Sequence, residues 1–431
     1  MSPVWKLCRA AALALAATLP AAAARGDNLD LSMPRTIVVG APRGAAPSER
    51  LDGARTGRTR TSLPSSPVEL WRRHVSGNID VSPVVDATDA VIVALTIPEI
   101  VKIGPDAREL WRARLGNAAA LASPILLSDG TIAVVTSAGI AWGFTPAGAL
   151  RFSTHLGVPR READTAPLAL SDGGFVVAAG NALVELDADG TIRARAVLDE
   201  RNTAGERAVG AVVEGPDGAL VTTASGSVYR FRPPAQPRKV GSFGGTVSRG
   251  AILADDRTLL AVVDGRRLVA LDLPTGTAHV RTGGIALDGP PTCGPPESGP
   301  RLTGHEGGAL QAPGGGLTFV GSQIGMLLGV DASGNERAHV MLDKALPISA
   351  AGAVGTSFLP TDVKPSPPVV VDASGRVAFV RGNGRAGVVA PSGRVEVVAE
   401  RLCPGPIAVL PAGFRRLLFA CHDGGLWMFG E

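Results

Sequence analysis

The chain has 431 residues and 45% hydrophobic content, enough to build a large core and to exclude general disorder. Its 55 Gly and 34 Pro punctuate about a fifth of all positions, and only 4% of residues are aromatic. A net charge of +3 is too small to point to nucleic acid or an anionic membrane as a partner of the whole protein.

The N-terminus reads as a secretory address. Lys6 and Arg9 precede an Ala/Leu-rich run from Ala10 to Leu19, followed by Pro20 and small residues through Ala24. A basic start, a short apolar stretch and small residues at Ala22 and Ala24 describe a signal peptide, residues 1–24, cut before Arg25. The apolar run falls short of the roughly 20 residues that span a bilayer. No second long run follows, so no transmembrane segment is expected after cleavage. Cys8 precedes the apolar stretch and does not stand where a lipoprotein carries its lipid-accepting Cys. A periplasmic or secreted monomer is expected. Residues 25–65 hold seven Arg against four acids with little periodicity, and read as a flexible Arg/Gly/Pro-rich linker. Only Thr36–Gly40 passes for a strand there. Arg43, Arg50, Arg55, Arg58 and Arg60 would be the contacts to anionic lipid or wall polymer, the alternative being a solvated tether.

From residue 66 onward an internal repeat organises the chain. Ser82-Pro83-Val84-Val85, Ser123-Pro124-Ile125-Leu126, Ala166-Pro167-Leu168-Ala169 and Ser366-Pro367-Pro368-Val369 open similar units. Each runs through a turn such as Ser128-Asp129-Gly130 into an apolar strand, a second tight turn, another strand and a Gly-containing hairpin. Units over Gly210–Gly245, Gly250–Gly284 and Gly307–Lys344 keep the layout without the Ser-Pro opening, and an eighth begins near Pro406. Strand pieces such as Val91–Leu95, Ile132–Val135 and Val377–Val380 are too short for helices. Four short strands per unit of 40-odd residues is the period of a propeller blade. The fold expected is all-β: an eight-bladed β-propeller of four-stranded antiparallel blades over residues 66–431, seven blades being the alternative. Gly/Pro-rich insertions are placed at 285–306 and 345–365.

The chain's ends support ring closure. The last unit, Ile407–Leu410, Leu417–Cys421 and Leu426–Phe429, lacks its fourth strand. Val68–Val75 supplies it, because Glu69-Leu70-Trp71-Arg72 repeats Glu109-Leu110-Trp111-Arg112 of the first blade. Pairing the two ends removes the open edge of the ring.

This layout resembles the PQQ-like (pyrroloquinoline-quinone-type) repeats, which also occur in the outer-membrane assembly lipoprotein BamB. The family core reads A-x-D-x-x-T-G-x-x-x-W. Ala270, Asp272, Thr275 and Gly276 match it, with Val280 at the Trp position, while Trp71 and Trp111 keep the Trp at the end of a blade. The resemblance implies that Asp and Gly shape the hairpin and that Trp docks one blade against the next, all structural roles. It does not bring the quinone cofactor: the adjacent Cys-Cys pair of alcohol-oxidising members has no counterpart here.

Other chemistry finds little support in the residues. Asp187-Ala-Asp189-Gly190-Thr191 has Ile192 and Leu198 where a calcium loop needs Gly and Glu, so it reads as a turn. The six His are dispersed, and neither a nucleophile elbow nor a phosphate loop occurs. No catalytic, cofactor-binding or metal-binding residue is assigned, and no cofactor is expected. Three Cys remain after cleavage: Cys293, Cys403 and Cys421. Cys403–Cys421 is the candidate disulfide; Cys293 with either partner, or three free thiols, stay open.

Together these features suggest a non-catalytic exported binding or scaffold protein of the bacterial cell envelope, offering propeller loops to a protein partner, in one version a BamB-like assembly role. The candidate contact surfaces are Gly289–Glu306 and Leu346–Pro365. The alternatives are an exported propeller enzyme, such as a quinoprotein-type dehydrogenase, and a wall- or carbohydrate-binding propeller. The low Trp and Tyr content weighs against sugar-stacking platforms.

Overall fold

A computed structural model of the chain describes residues 46–199, 206–283, 287–293, 317–322, 325–342 and 366–431. Among them every regular element is a strand, arranged as eight four-stranded antiparallel sheets. Blades 1 to 7 span 84–114, 125–155, 168–197, 213–242, 247–283, 287–341 and 370–399, each with its strands in sequence order. Blade 8 takes three strands from the C-terminus, Pro406–Pro411, Arg416–Cys421 and Gly425–Gly430, and its fourth from Val68–His74. That strand pairs antiparallel with the last one, Val68 opposite Gly430 and His74 opposite Gly425. The described residues therefore form eight blades, not seven, closed by Val68–His74.

The apolar strands explain why the sheets ring together. Ile132–Val135 of blade 2 is buried throughout. Its alternating side chains serve different neighbours, Ile132 and Val134 packing with blade 1 and Ala133 and Val135 with blade 3. Val91 and Val93 of blade 1 likewise face the cluster shared with blades 7 and 8, while Ile92 and Ala94 face blade 2. A two-faced apolar sheet cannot hide itself, so the core is a ring of layers between blades. The outermost strands are half exposed and most carry Arg, which blunts their edges. Arg151 and Arg193 reach back to Asp129 and Asp172 in the first hairpins of their own blades.

The repeat-motif residues sit where one blade meets the next. Trp111 Nε1 donates to Pro146 O of blade 2 (3.0 Å), and Trp71 Nε1 donates to Pro105 O of blade 1 (2.9 Å). The Trp111 ring covers Gly148, which has φ of +86° and where a Cβ would stand 2.7 Å from the indole. Any larger residue there would meet both backbone strain and the ring. Ala270 is buried between blades 5 and 6. The Gly276 amide closes the hairpin on Asp272 O (2.7 Å), and Thr275 Oγ1 accepts from the Thr277 amide. Val280, at the motif's Trp position, is exposed.

Cys403 and Cys421 form a disulfide within blade 8, and Cys293 is a buried free thiol. Closing an 18-residue separation contributes on the order of 3 kcal/mol.

Two sequence expectations need correction. The sixth unit does not start at Gly307: its innermost strand is Leu287–Cys293, inside the stretch assigned to an insertion. The proposed contact surface Gly289–Glu306 therefore begins within a blade, and its remainder lies outside the described residues, as does Leu346–Pro365. The signal peptide and Thr36–Gly40 also lie outside them. The second is the linker: residues 46–63 lie, mostly buried, inside the ring of blades.

Removing Val68–His74 would expose the edge of Gly425–Gly430. The deletion is expected to lower the melting temperature by several degrees and to generate oligomers visible by size-exclusion chromatography.

Candidate functional site

A propeller's innermost strands each present one unpaired edge to the axis. Residues 46–63, read from the sequence as flexible linker, fill that space. Ala46, Leu51, Ala54, Arg55, Thr56, Thr59 and Leu63 are all buried, as are Arg50 and Arg58. The segment makes one circuit of the axis and meets the blades in chain order. Its carbonyls at Ala46, Pro47, Gly53, Ala54, Thr56 and Gly57 accept from the amides of Val85, Leu126, Glu214, Leu253, Cys293 and Val371, at 2.7–3.0 Å. Those six amides belong to blades 1, 2, 4, 5, 6 and 7. Blade 8 ends its innermost strand at Pro411, which has no N–H to satisfy. The circuit leaves through Ser62 O, which accepts from the Arg415 amide of blade 8 (3.0 Å). It then reaches the C-terminal residue, where Glu431 accepts from Ser65 Oγ and the Ser66 amide and pairs with Arg415.

Arg55 is the centre of the segment and is fully buried. Its Nη2 donates to Pro167 O of blade 3 (2.5 Å), its Nε to Val212 O beside blade 4 (3.0 Å) and its Nη1 to Glu49 O (2.7 Å). Arg50 Nε donates to Arg55 O (2.8 Å), and Arg50 Nη2 to Thr292 Oγ1 of blade 6 (3.0 Å). Burial pushes the Arg55 guanidinium below its ordinary pKa and lowers Arg50 to about 10. Burial likewise raises the Asp52 carboxyl, against the opposing hydrogen bonds from Thr56. Arg50, Leu51 and Arg55 all have positive φ (59°, 78° and 60°), a conformation costing about 1–2 kcal/mol at each non-glycine residue. At Gly57, with φ of +69°, a Cβ would stand 2.9 Å from Thr292 Cγ2.

The physical reason the linker reading fails is now visible. This segment has no hydrophobic period because it answers to the blade edges around it, not to a period of its own. Its Arg side chains were candidates for lipid or wall contact, but Arg50, Arg55 and Arg58 are buried in the channel. The short run Gly53-Ala54-Arg55-Thr56-Gly57, small residues around one Arg, was the one available signal.

A cavity of about 520 Å³ remains at one mouth of the channel, floored by Arg50, Leu51 and Gly57. Asp80, Ser123, Arg249 and His422 stand around it. His422 Nδ1 donates to Asp80 Oδ1 (2.5 Å), with Asn78 Nδ2 3.4 Å from Nε2. Ser123 Oγ donates to Glu49 Oε2 (3.3 Å). No group of three or more potential metal ligands occurs among the described residues. Of the residues named from sequence, Trp71, Trp111 and Ala270 to Gly276 lie at blade junctions and hairpins, none on the mouth. The disulfide lies beside it, since His422 follows Cys421 and Gly405 lies two residues after Cys403.

No protein-family model matches the sequence, and no curated protein matches it. Solved structures do. BamB from Moraxella catarrhalis is 13% identical, with 85% of this chain and 98% of that chain covered and a TM-score of 0.56. The computationally designed Ika8 protein is 10% identical over 86% of this chain and 100% of its own, with a TM-score of 0.59. Virginiamycin B lyase from Staphylococcus aureus is 11% identical over 84% of this chain and 98% of its own, at a TM-score of 0.49. The likeness to BamB fixes the fold as a BamB-like β-propeller and extends no further at this identity.

Two outcomes follow from this geometry. Arg55→Ala leaves buried carbonyls at Pro167 and Val212 without their donor and is expected to cost about 3–5 kcal/mol, read as a melting point lowered by several degrees. Arg55→Lys does not restore it, since one ammonium cannot span three acceptors. Hydrogen bonds from Ser65 hold the Glu431 carboxyl down at about 2. A depressed carboxylate stabilises the fold above its unfolded pKa, and that stability is lost as pH falls through the folded value. The melting-temperature gap between wild type and Glu431→Gln should be full above about pH 5 and should close as pH falls towards 2.

Proposed function

We propose that this protein is a non-catalytic binding or scaffold propeller of the bacterial cell envelope, exported and presenting its loops and channel mouth to a protein partner. The observation that carries this reading is the occupied axis. Where a propeller has room for a ligand, this chain places its own residues 46–63, hydrogen-bonded to the innermost strands. Contact surface is then left to the loops at the two ends, where recognition concentrates. The secretory pattern of residues 1–24 and the BamB-like fold support the compartment and, in one version, a role in assembling outer-membrane proteins.

A second reading, an exported enzyme, is favoured by one arrangement: His422, oriented by Asp80, faces the cavity at the mouth, as a general base would.

The mature protein, immobilised and challenged with envelope extract, separates the readings. Specific recovery of membrane-assembly proteins, unaffected by His422→Ala, is the expected result. Retention of glycan without protein, or turnover of an envelope substrate lost in His422→Ala, would contradict it.

A further inference from the structure

We propose that the axial channel is a binding site for a looped, arginine-bearing peptide segment, held here by the chain's own residues 46–63, and that it accepts such a segment in trans. The inference starts from the same occupied axis as the reading above and does not require the envelope compartment.

Three observations carry it. First, the wall offers main-chain groups to the axis: the amides of Val85, Leu126, Glu214, Leu253, Cys293 and Val371 each find a carbonyl there, and the carbonyls of Val85 and Val371 accept from the amides of Ala46 and Thr59. Edge amides pair with any backbone carbonyl brought to them, so they bind without reading sequence. Second, sequence is read at one place. Arg55 enters a fully buried cage formed by Pro167 O and Val212 O of the wall and closed by Glu49 O of the segment itself, an arrangement that fits a guanidinium fork. The flanking residues must be small, because Gly57 lies against Thr292 and Gly53 against Glu214. The ligand class is thus a looped segment with one Arg between small residues.

Third, the resident segment is held in a strained form. Arg50, Leu51 and Arg55 occupy left-handed backbone conformations within six residues, and its charges are stripped of water. Strain of this kind gathers at binding elements that have a second state. The cavity at the mouth ends directly on Arg50, Leu51 and Gly57, so an incoming chain reaches the resident one from solvent. A competitor that binds the same edges with less strain has the advantage.

The test is exchange in the full chain. A specific protease site is introduced between Ser65 and Ser66, which are exposed, and the protein is cut after folding. A fluorescent synthetic peptide of residues 46–65 is then added, and binding is followed by anisotropy and size exclusion. The expected result is a ring that stays folded, takes up the peptide, and discriminates at least tenfold against the same peptide carrying Arg55→Ala. Three results would overturn the proposal: no uptake under native conditions, loss of the folded ring when the cut segment leaves, or equal uptake of both peptides.

Discussion

Everything in this molecule depends on satisfying the inner edges of eight sheets that all face one axis. A closed ring removes the lateral exposure of its sheets, yet it concentrates unpaired amides at the centre, where water is scarce. Here one segment of the same chain supplies a carbonyl to six of those edges in sequence order. In blade 8, Pro411 removes the need. The central segment is part of the architecture as much as the blades are.

The arm that fills the axis also closes the rim. Residues 46–63 circle the inside, and Val68–His74 completes blade 8 from the outside. Between them, the last residue, Glu431, is tied to Ser65 and Ser66. Inner and outer closure are thus joined through a few residues, with the Cys403–Cys421 bridge fastening the same blade. These contacts join the first and last parts of the chain, so they form only when both ends are available, and topologies of this kind fold slowly.

Much of the fold was legible because the repeat is written in short, continuously apolar strands between Asp/Gly turns, a pattern that survives divergence. The resemblance of Glu69-Leu70-Trp71-Arg72 to Glu109-Leu110-Trp111-Arg112 was enough to place the closing strand. Leu287–Cys293 was hidden by its Gly-Pro-Pro centre, which no interior strand tolerates. An innermost strand does tolerate it, pairing at Leu287, Asp288, Thr292 and Cys293 on either side of an irregularity. The axial segment was hidden for a different reason. Its Arg residues, rarely buried, make a solvated tether the natural reading. Only the assembled ring reveals the carbonyl cage that Arg55 fills.

Amide hydrogen exchange on the intact protein tests the central claim most directly. If residues 46–63 seal the inner edges, the amides of Val85, Leu126, Glu214, Leu253, Cys293 and Val371 exchange as slowly as those in the middle strands of their blades. Exchange of those six at the rate of exposed loops, with the middle strands still protected, would contradict it.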